Sequence, residues 1–577
     1  VSTTRTGTLG RWIPILAWGP RYPRENLRDD VVAGLTVAVM LIPQGMAYAS
    51  LAGMPPVTGL YAAIVGIATY ALLGTSSSLA IGPVAITSLL TIDGLRSITE
   101  PGDPAYVGTA ALLALMVGAI LVGLGIARLG GLVSLLSHPV ISGFISAAAI
   151  VIALSQVKDL LGIDIDRPHG VIDTVRALVA EAGTAHGLTV AIGLGAASML
   201  VLGRRLSRRF PTPLLVVAAA TAVVGLARLD LDGVAVLGEV PSGLPTPAMP
   251  ELSGALLGAL APLALTIAVV AYAEGISIAK VIARKTRDNI DPNQELVATG
   301  AANAASGLFG GFPIAGGFYR TAANFQAGAR TPLASLITVA VLAIAVLWFT
   351  PAFTYLPRAV LAAVVIVAVL SLVDVRDAIH TWRARPIDGV TLAVTFLASM
   401  LIGIEPGLAI GVAFSLAVFV YRSATPHTTE LGRVEGSVEL RSIARYPTHQ
   451  APGVAVLRMD GPLFFASAKR LQDRVGDLVA HRDDLRAVVL DASAIADLDA
   501  SGAHALAELA SDLEAAGVEL HLATVRGPVR DVLARASAWD LQGDRIHASL
   551  TDAVAAVDPS GVLCRPSGAE KAPNGVL

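Results

Sequence analysis

Between residues 31 and 422 one pattern repeats: an apolar run of helical length, then a short polar break. A hydrocarbon core about 30 Å thick takes about 20 apolar residues of helix. Runs of that order fall near 31–49, 57–74, 79–95, 107–127, 131–157, 186–203, 211–228, 255–279, 293–310, 314–328, 331–350, 355–373, 387–404 and 406–422. The pattern predicts about fourteen spans. Two of them, 79–95 and 314–328, are short and marked by Gly and Pro.

From about Thr425 the period changes. Val454–Asp460, 485–491 and 518–523 read as strands, and 468–479 and 503–516 as helices. Strands alternating with helices predict a small α/β domain. The expected organisation is an arm over 1–30, a membrane domain over 31–424, an α/β domain over 436–558, and a disordered Gly/Pro-bearing tail over 559–577.

Charge gives the spans a direction, because Lys and Arg collect in cytoplasmic loops. Arg11, Arg21, Arg24 and Arg28 precede the first span. Arg204, Arg205, Arg208 and Arg209 follow the sixth; Lys280, Arg284, Lys285 and Arg287 the eighth; Arg376, Arg383 and Arg385 the twelfth. The loops after the fifth and seventh are acidic instead, with Asp159, Asp164, Asp166 and Asp173, then Asp230, Asp232, Glu239 and Glu251. The expectation is a multi-pass protein of the cell membrane with both termini in the cytoplasm.

Composition agrees and excludes other classes. Charged residues are 15% of the chain and Gly alone contributes 56 residues, which suits closely packed helices in lipid. A net charge of −3 offers nucleic acid no basic field. The single cysteine, Cys564, excludes an intrachain disulfide and a Cys-clustered zinc site. The ten histidines are scattered, with neither zinc spacing nor a nucleophile elbow, so no enzyme, metal or cofactor is expected. Val1 to Asp30 is polar and lacks the apolar core of a signal peptide.

The two short spans carry the chemistry. Gly82 and Pro83 interrupt one; Gly310, Gly311, Pro313, Gly316 and Gly317 interrupt the other. Non-helical backbone at membrane depth needs protein or a watery cavity to satisfy it. The two breaks lie at matching places, in the third and tenth spans, if the chain is two halves over about 31–228 and 255–422. Paired breaks of this kind mark the site of an inverted-repeat transporter. A helix starting inside the membrane presents unpaired N–H groups and about half a positive charge, so two facing starts suit an anion. Pro83 is expected in the first turn of its helix, where a missing N–H costs nothing.

Several stretches then resemble the sulfate permease family (SulP, which includes the animal SLC26 anion transporters). They are Pro56-Val57-Thr58-Gly59-Leu60-Tyr61 with Gly74-Thr75-Ser76, Ile42-Pro43-Gln44-Gly45-Met46-Ala47-Tyr48-Ala49, Asn293-Gln294-Glu295-Leu296, and Arg320-Thr321 with Gly328-Ala329-Arg330-Thr331. The C-terminal region resembles the STAS domain, related to anti-sigma-factor antagonists. The resemblance implies a seven-plus-seven inverted repeat of core and gate domains, a homodimer, an elevator-like movement, and a regulatory cytoplasmic domain open to a further partner.

It also implies roles. Gln44 is placed beside the substrate, although a helix–helix hydrogen bond also explains a buried Gln. Tyr48, one turn later, lines the pocket with Val84 and Ala85, and the second break contributes Gly316, Gly317, Phe318, Tyr319 and Arg320. Glu274, a lone acid in the eighth span, is the expected proton-coupling group, with a structural pair to Arg320 as the alternative. Many relatives carry Ser before this Arg where Tyr319 stands. Ile278 and Phe318 stand where sodium-coupled relatives have hydroxyls, so a proton is expected rather than sodium. Ser501, in Asp499-Ala500-Ser501-Gly502, resembles a phosphorylated serine, or is a plain helix N-cap. The expected function is secondary transport of a small anion. Sulfate comes first, with bicarbonate or a dicarboxylate possible; a uniporter or channel, or a nucleobase permease, are the alternatives.

Overall fold

The computed structural model describes residues 12–131, 137–165, 170–206, 212–286, 288–435, 437, 439–536 and 543–563. The chain divides into two compact units, Val1–Ser415 and Leu416–Leu577.

The first unit is helical. A short α1 (Ile15–Trp18) leads into α2 (Leu27–Leu51), α3 (Pro56–Leu73), the strand β1 (Ile81–Gly82), α4 (Ala85–Leu95), α5 (Pro104–Ile126), α6 (His138–Leu161), α7 (Val171–Ala180), α8 (Gly187–Leu206) and α9 (Thr212–Ala227). The same order then recurs: α10 (Gly254–Thr286), α11 (Pro292–Leu308), β2 (Ala315–Gly316), α12 (Phe318–Gln326), α13 (Leu333–Trp348), α14 (Arg358–Leu370), α15 (Val375–Ala384), α16 (Pro386–Leu401) and α17 (Ile404–Ala424). Each predicted apolar run falls on a helix, and the two short runs are a strand followed by a short helix. Among the described residues seven helical stretches are long and apolar enough to cross a bilayer, one of them running through α14 and α15 (Arg358–Ala384), and five more helices are shorter and apolar. The pattern above did not predict α7 and α15; at 10 residues each and with charged positions, they read as loop.

Small residues set the helix crossings, as expected where lipid gives no hydrophobic drive between helices. A Cβ on Gly59 of α3 would lie 2.0 Å from the Gly45 carbonyl oxygen of α2. A Cβ on Gly118 of α5 would lie 2.7 Å from Gly300 O of α11, and one on Gly300 would lie 2.8 Å from Gly118 O. Two buried carboxylates fasten loops. Glu295 on α11 accepts from Tyr70 Oη (2.7 Å), Thr75 N (2.7 Å), Thr75 Oγ1 (2.6 Å) and Ser76 N (3.2 Å). Asp30 on α2 accepts from Arg330 N (2.8 Å), Thr331 N (3.1 Å) and Thr331 Oγ1 (2.7 Å).

The second unit holds β3 (His427–Val434), β4 (Leu440–Ser442), β5 (Thr448–His449), β6 (Val454–Asp460), α18 (Phe465–His481), β7 (Ala487–Asp491), α19 (Ala500–Ala515), β8 (Glu519–Ala523), α20 (Gly527–Ala536), β9 (Ile546–His547) and α21 (Leu550–Val557). The sheet runs β4-β3-β6-β7-β8-β9; β6 to β9 are parallel, β3 is antiparallel to β6, and β5 pairs with β3. Alternation along β6 sends Ala455, Leu457 and Met459 to the larger core and Val454 and Val456 to the smaller. The start of the expected disordered tail is ordered. Leu563 is buried and its N–H donates to Asp558 Oδ2 at 2.8 Å, so 559–563 close the smaller core. Residues 564–577, with Cys564, lie outside the described residues.

Candidate functional site

The two breaks meet. β1 and β2 pair antiparallel, Ile81 with Gly316 and Gly82 with Ala315, and Gly317 N–H donates to Ala80 O at 3.0 Å. Backbone at membrane depth is thus satisfied by the other break. Gly82 has φ +148°, a conformation L side chains rarely adopt. Gly316 has no room for a side chain: its Cβ would lie 2.8 Å from Gly275 Cα of α10 and 2.9 Å from Leu79 Cδ1.

Side chains that sequence reasoning missed hold this crossing. Ala80 N–H donates to Thr321 Oγ1 (3.0 Å) and Asn324 Nδ2 donates to Ser78 O (3.0 Å), both reaching from α12 to the first break. Asn303 on α11 donates to Ile314 O (3.0 Å) and accepts from Ile314 N–H (2.9 Å), while Ser306 Oγ donates to Phe312 O (2.7 Å). A polar residue in an apolar run was the available signal, but Thr91, which merely bonds its own Thr87 O at 2.7 Å, gives the same signal.

α4 starts from Val84 and α12 from Gly317, and neither start has a side-chain cap. Their first turns therefore keep backbone N–H groups aimed outward from the helix starts, Ala85 and Ile86 on one and Phe318 on the other. Pro83 is not in the first turn. It precedes the cap residue Val84, and its carbonyl accepts Arg320 Nη1 at 2.7 Å.

Arg320, in the first turn of α12, is 2% exposed. Its Nε and Nη2 are buried and have no hydrogen-bond partner. Glu274 of α10 is also buried, and its Oε2 has no partner. The two form no ion pair, although Glu274 and Tyr48 both lie within electrostatic reach of the guanidinium. The structural pairing weighed above is therefore not a salt bridge.

Val84 packs against Ala271, one turn before Glu274, and against Ala315 of β2. That cluster brings the first break, the second break and α10 to one place. Gln44 and Tyr48 are buried a turn apart on α2. Gly317 closes on Arg320, its Cβ position 2.9 Å from Nη2. Phe318 is half-buried and Tyr319 is 41% exposed. Among the described residues no group of three His, Cys, Asp or Glu is placed to hold a metal ion.

In the second unit Ser501 is exposed and is not the cap of α19. Asp499 is, its Oδ1 accepting Gly502 N–H at 2.6 Å.

Comparison with known proteins assigns the chain. Residues 27–395 match the Sulfate permease family and 445–553 the STAS domain. Over 552 residues the chain is 36% identical to sulfate transporter 4.1, chloroplastic, of Arabidopsis thaliana, covering 92% of this chain and 79% of that one. Over 554 residues it is 36% identical to a probable sulfate transporter of Mycobacterium tuberculosis, covering 96% and 99%. The murine Solute Carrier 26 family member A9 anion transporter in its inward-facing state superposes with a TM-score of 0.88 at 26% identity, covering 96% of this chain and 95% of that one. Paired broken helices, a buried arginine between their starts and these matches converge: the chain belongs to the sulfate permease family, as a membrane transport protein with a C-terminal STAS domain.

Proposed function

We propose that the protein imports a small inorganic dianion, sulfate first, together with a proton, by alternating access around the crossing of β1 and β2. The observation that carries this reading is Arg320, whose Nε and Nη2 are buried without a partner between two uncapped helix starts. Each such unpaired donor costs roughly 1–3 kcal/mol, an imbalance that an anion's oxygens remove. Charge-assisted bonds to a guanidinium fork suit a tetrahedral oxyanion. The relatives' names favour sulfate over bicarbonate or a dicarboxylate.

Glu274 supplies the coupling. A carboxylate beside an incoming dianion repels it, so a proton on Glu274 accompanies binding and is released when the site opens on the other side. The bond from Arg320 Nη1 to Pro83 O aims the rest of its fork. The charge pattern along the chain supports a cell-membrane protein with cytoplasmic termini. A homodimer is the assembly that the family resemblance implies for this chain.

The test is uptake of labelled sulfate and of labelled bicarbonate into proteoliposomes, with and without an inward proton gradient. Gradient-driven accumulation of sulfate is expected. Equilibration indifferent to the gradient replaces symport with uniport, and accumulation of bicarbonate alone overturns the substrate.

A further inference from the structure

The repeat has one more pair of matching elements, and their chemistry differs. α7 follows α6, and α15 follows α14, the corresponding helix of the other half. Each bears an exposed apolar stripe: Ile172, Val175 and Val179 on α7, Val375, Ile379 and Trp382 on α15. The α15 residues recur at i, i+4 and i+7 and so share one side of the helix. Its opposite side is tied to the protein. Asp377 accepts Ser142 Oγ of α6 at 3.0 Å and lies 3.9 Å from His138 Nδ1. Trp382, at the end of the stripe, lays part of its ring on Gly389 of α16, where a Cβ would come within 2.4 Å, and is 49% exposed on the rest. Val375 and Ile379 thus face away from the protein, with the exposed part of Trp382 beside them, on a helix of mixed apolar and charged residues between the apolar α14 and α16, a composition that suits the depth of the lipid headgroups.

The charges beside the two stripes are unlike. Arg376 and Arg383 lie about a quarter turn round from the α15 stripe, and Arg385 follows the helix. All three are exposed, and none has a side-chain ion pair or hydrogen bond among the described residues. α7 has one arginine, Arg176, and Asp173 already pairs with it at 3.5 Å.

We propose that α15 is a binding site for anionic phospholipid. Val375, Ile379 and Trp382 enter the boundary between headgroups and acyl chains, where a Trp ring is at home. Arg376, Arg383 and Arg385 take the phosphodiester oxygens. α7, with its cation already neutralised, takes lipid without regard to headgroup charge.

The test uses the full chain in nanodiscs, with Trp12, Trp18, Trp348 and Trp539 replaced by Phe so that Trp382 alone fluoresces. Brominated phosphatidylglycerol is expected to reach half-maximal quenching at a mole fraction at least about twofold below that of brominated phosphatidylcholine. In the Arg376→Gln, Arg383→Gln, Arg385→Gln chain the two midpoints coincide. Equal midpoints with the arginines present overturn the proposal, as does a preference surviving in the triple variant. Absence of quenching by either lipid means another protein surface covers the stripe, and overturns it too. If the single-Trp chain does not elute as one species, native mass spectrometry decides with every tryptophan in place. Phosphatidylglycerol retained equally by the parent and the triple-Gln chain overturns the proposal. None of these readouts involves transport, so they stand or fall apart from the substrate and its coupling.

Discussion

Arg320 does two jobs with one side chain, holding Pro83 O with Nη1 and leaving Nε and Nη2 for another acceptor. Lysine cannot do both, because its ammonium is a compact point charge and lacks the planar fork. Arg320→Lys is expected to keep the fold and lower sulfate uptake at least about tenfold, the equivalent of one lost charge-assisted bond; wild-type uptake in the Lys variant would remove Arg320 from the site. Glu274→Gln keeps the shape of the carboxyl but cannot take up a proton. It is expected to allow sulfate counterflow while abolishing accumulation driven by a proton gradient, measured in the same vesicles; accumulation persisting in the variant ends Glu274's role as the coupling group. Both residues were legible in the sequence, because a charge inside an apolar run is expensive and rare. Their relation was not. Sequence left an ion pair open only as an alternative, and it gave no sign that the arginine is tied to a proline carbonyl, because a backbone acceptor leaves no mark in a sequence.

At the scale of elements, apolar periodicity was enough to place the long helices and both breaks, and Gly and Pro spacing was enough to show that the breaks correspond. What the period could not show was how the helices cross. Gly59 meets Gly45 at a distance that forbids a methyl group, so Gly59→Ala is expected to cost at least about 1–3 kcal/mol of strain. It would appear as a lower thermal midpoint in size-exclusion assays of detergent extracts. Gly123→Ala, on a face with nothing within 4 Å, is the matched control and is expected to leave the midpoint unchanged. In the second unit β9 is a two-residue edge strand whose His547 carbonyl accepts Thr524 N–H at 3.1 Å. Burial, and then the neighbouring His521 imidazole, push the His547 pKa below the ordinary 6.5. The unfolded strand therefore binds a proton first as pH falls, and pairing is fully present above about pH 6.5 and weakens below it. Amide exchange at Thr524, corrected for intrinsic rate, is expected to speed up between pH 7 and 5 in the wild type and to stay flat in His547→Asn. A slope surviving that substitution assigns the effect to another group.

For the whole molecule, the two halves have one element order, and an odd number of crossings in each half turns the second upside down relative to the first. That relation lets β1 and β2 meet antiparallel with both helix starts facing one another. In the proposed orientation it also sends α7 and α15 to opposite faces of the membrane. The single native cysteine makes this testable. In the proposed orientation Cys564 is cytoplasmic, so an impermeant maleimide leaves it unlabelled in intact cells. In a Cys564→Ala background, Glu181→Cys just after α7 is expected to react in intact cells. His380→Cys on α15 is expected to react only after permeabilisation; both native residues are exposed. Reaction of both from the same side would require an even number of crossings between them, and the inverted repeat would fall with it. Reaction of His380→Cys alone in intact cells would keep the repeat and reverse the orientation, placing the arginines of α15 in the outer leaflet. Parity between the halves and orientation in the membrane are thus separate quantities, and these two positions read them separately.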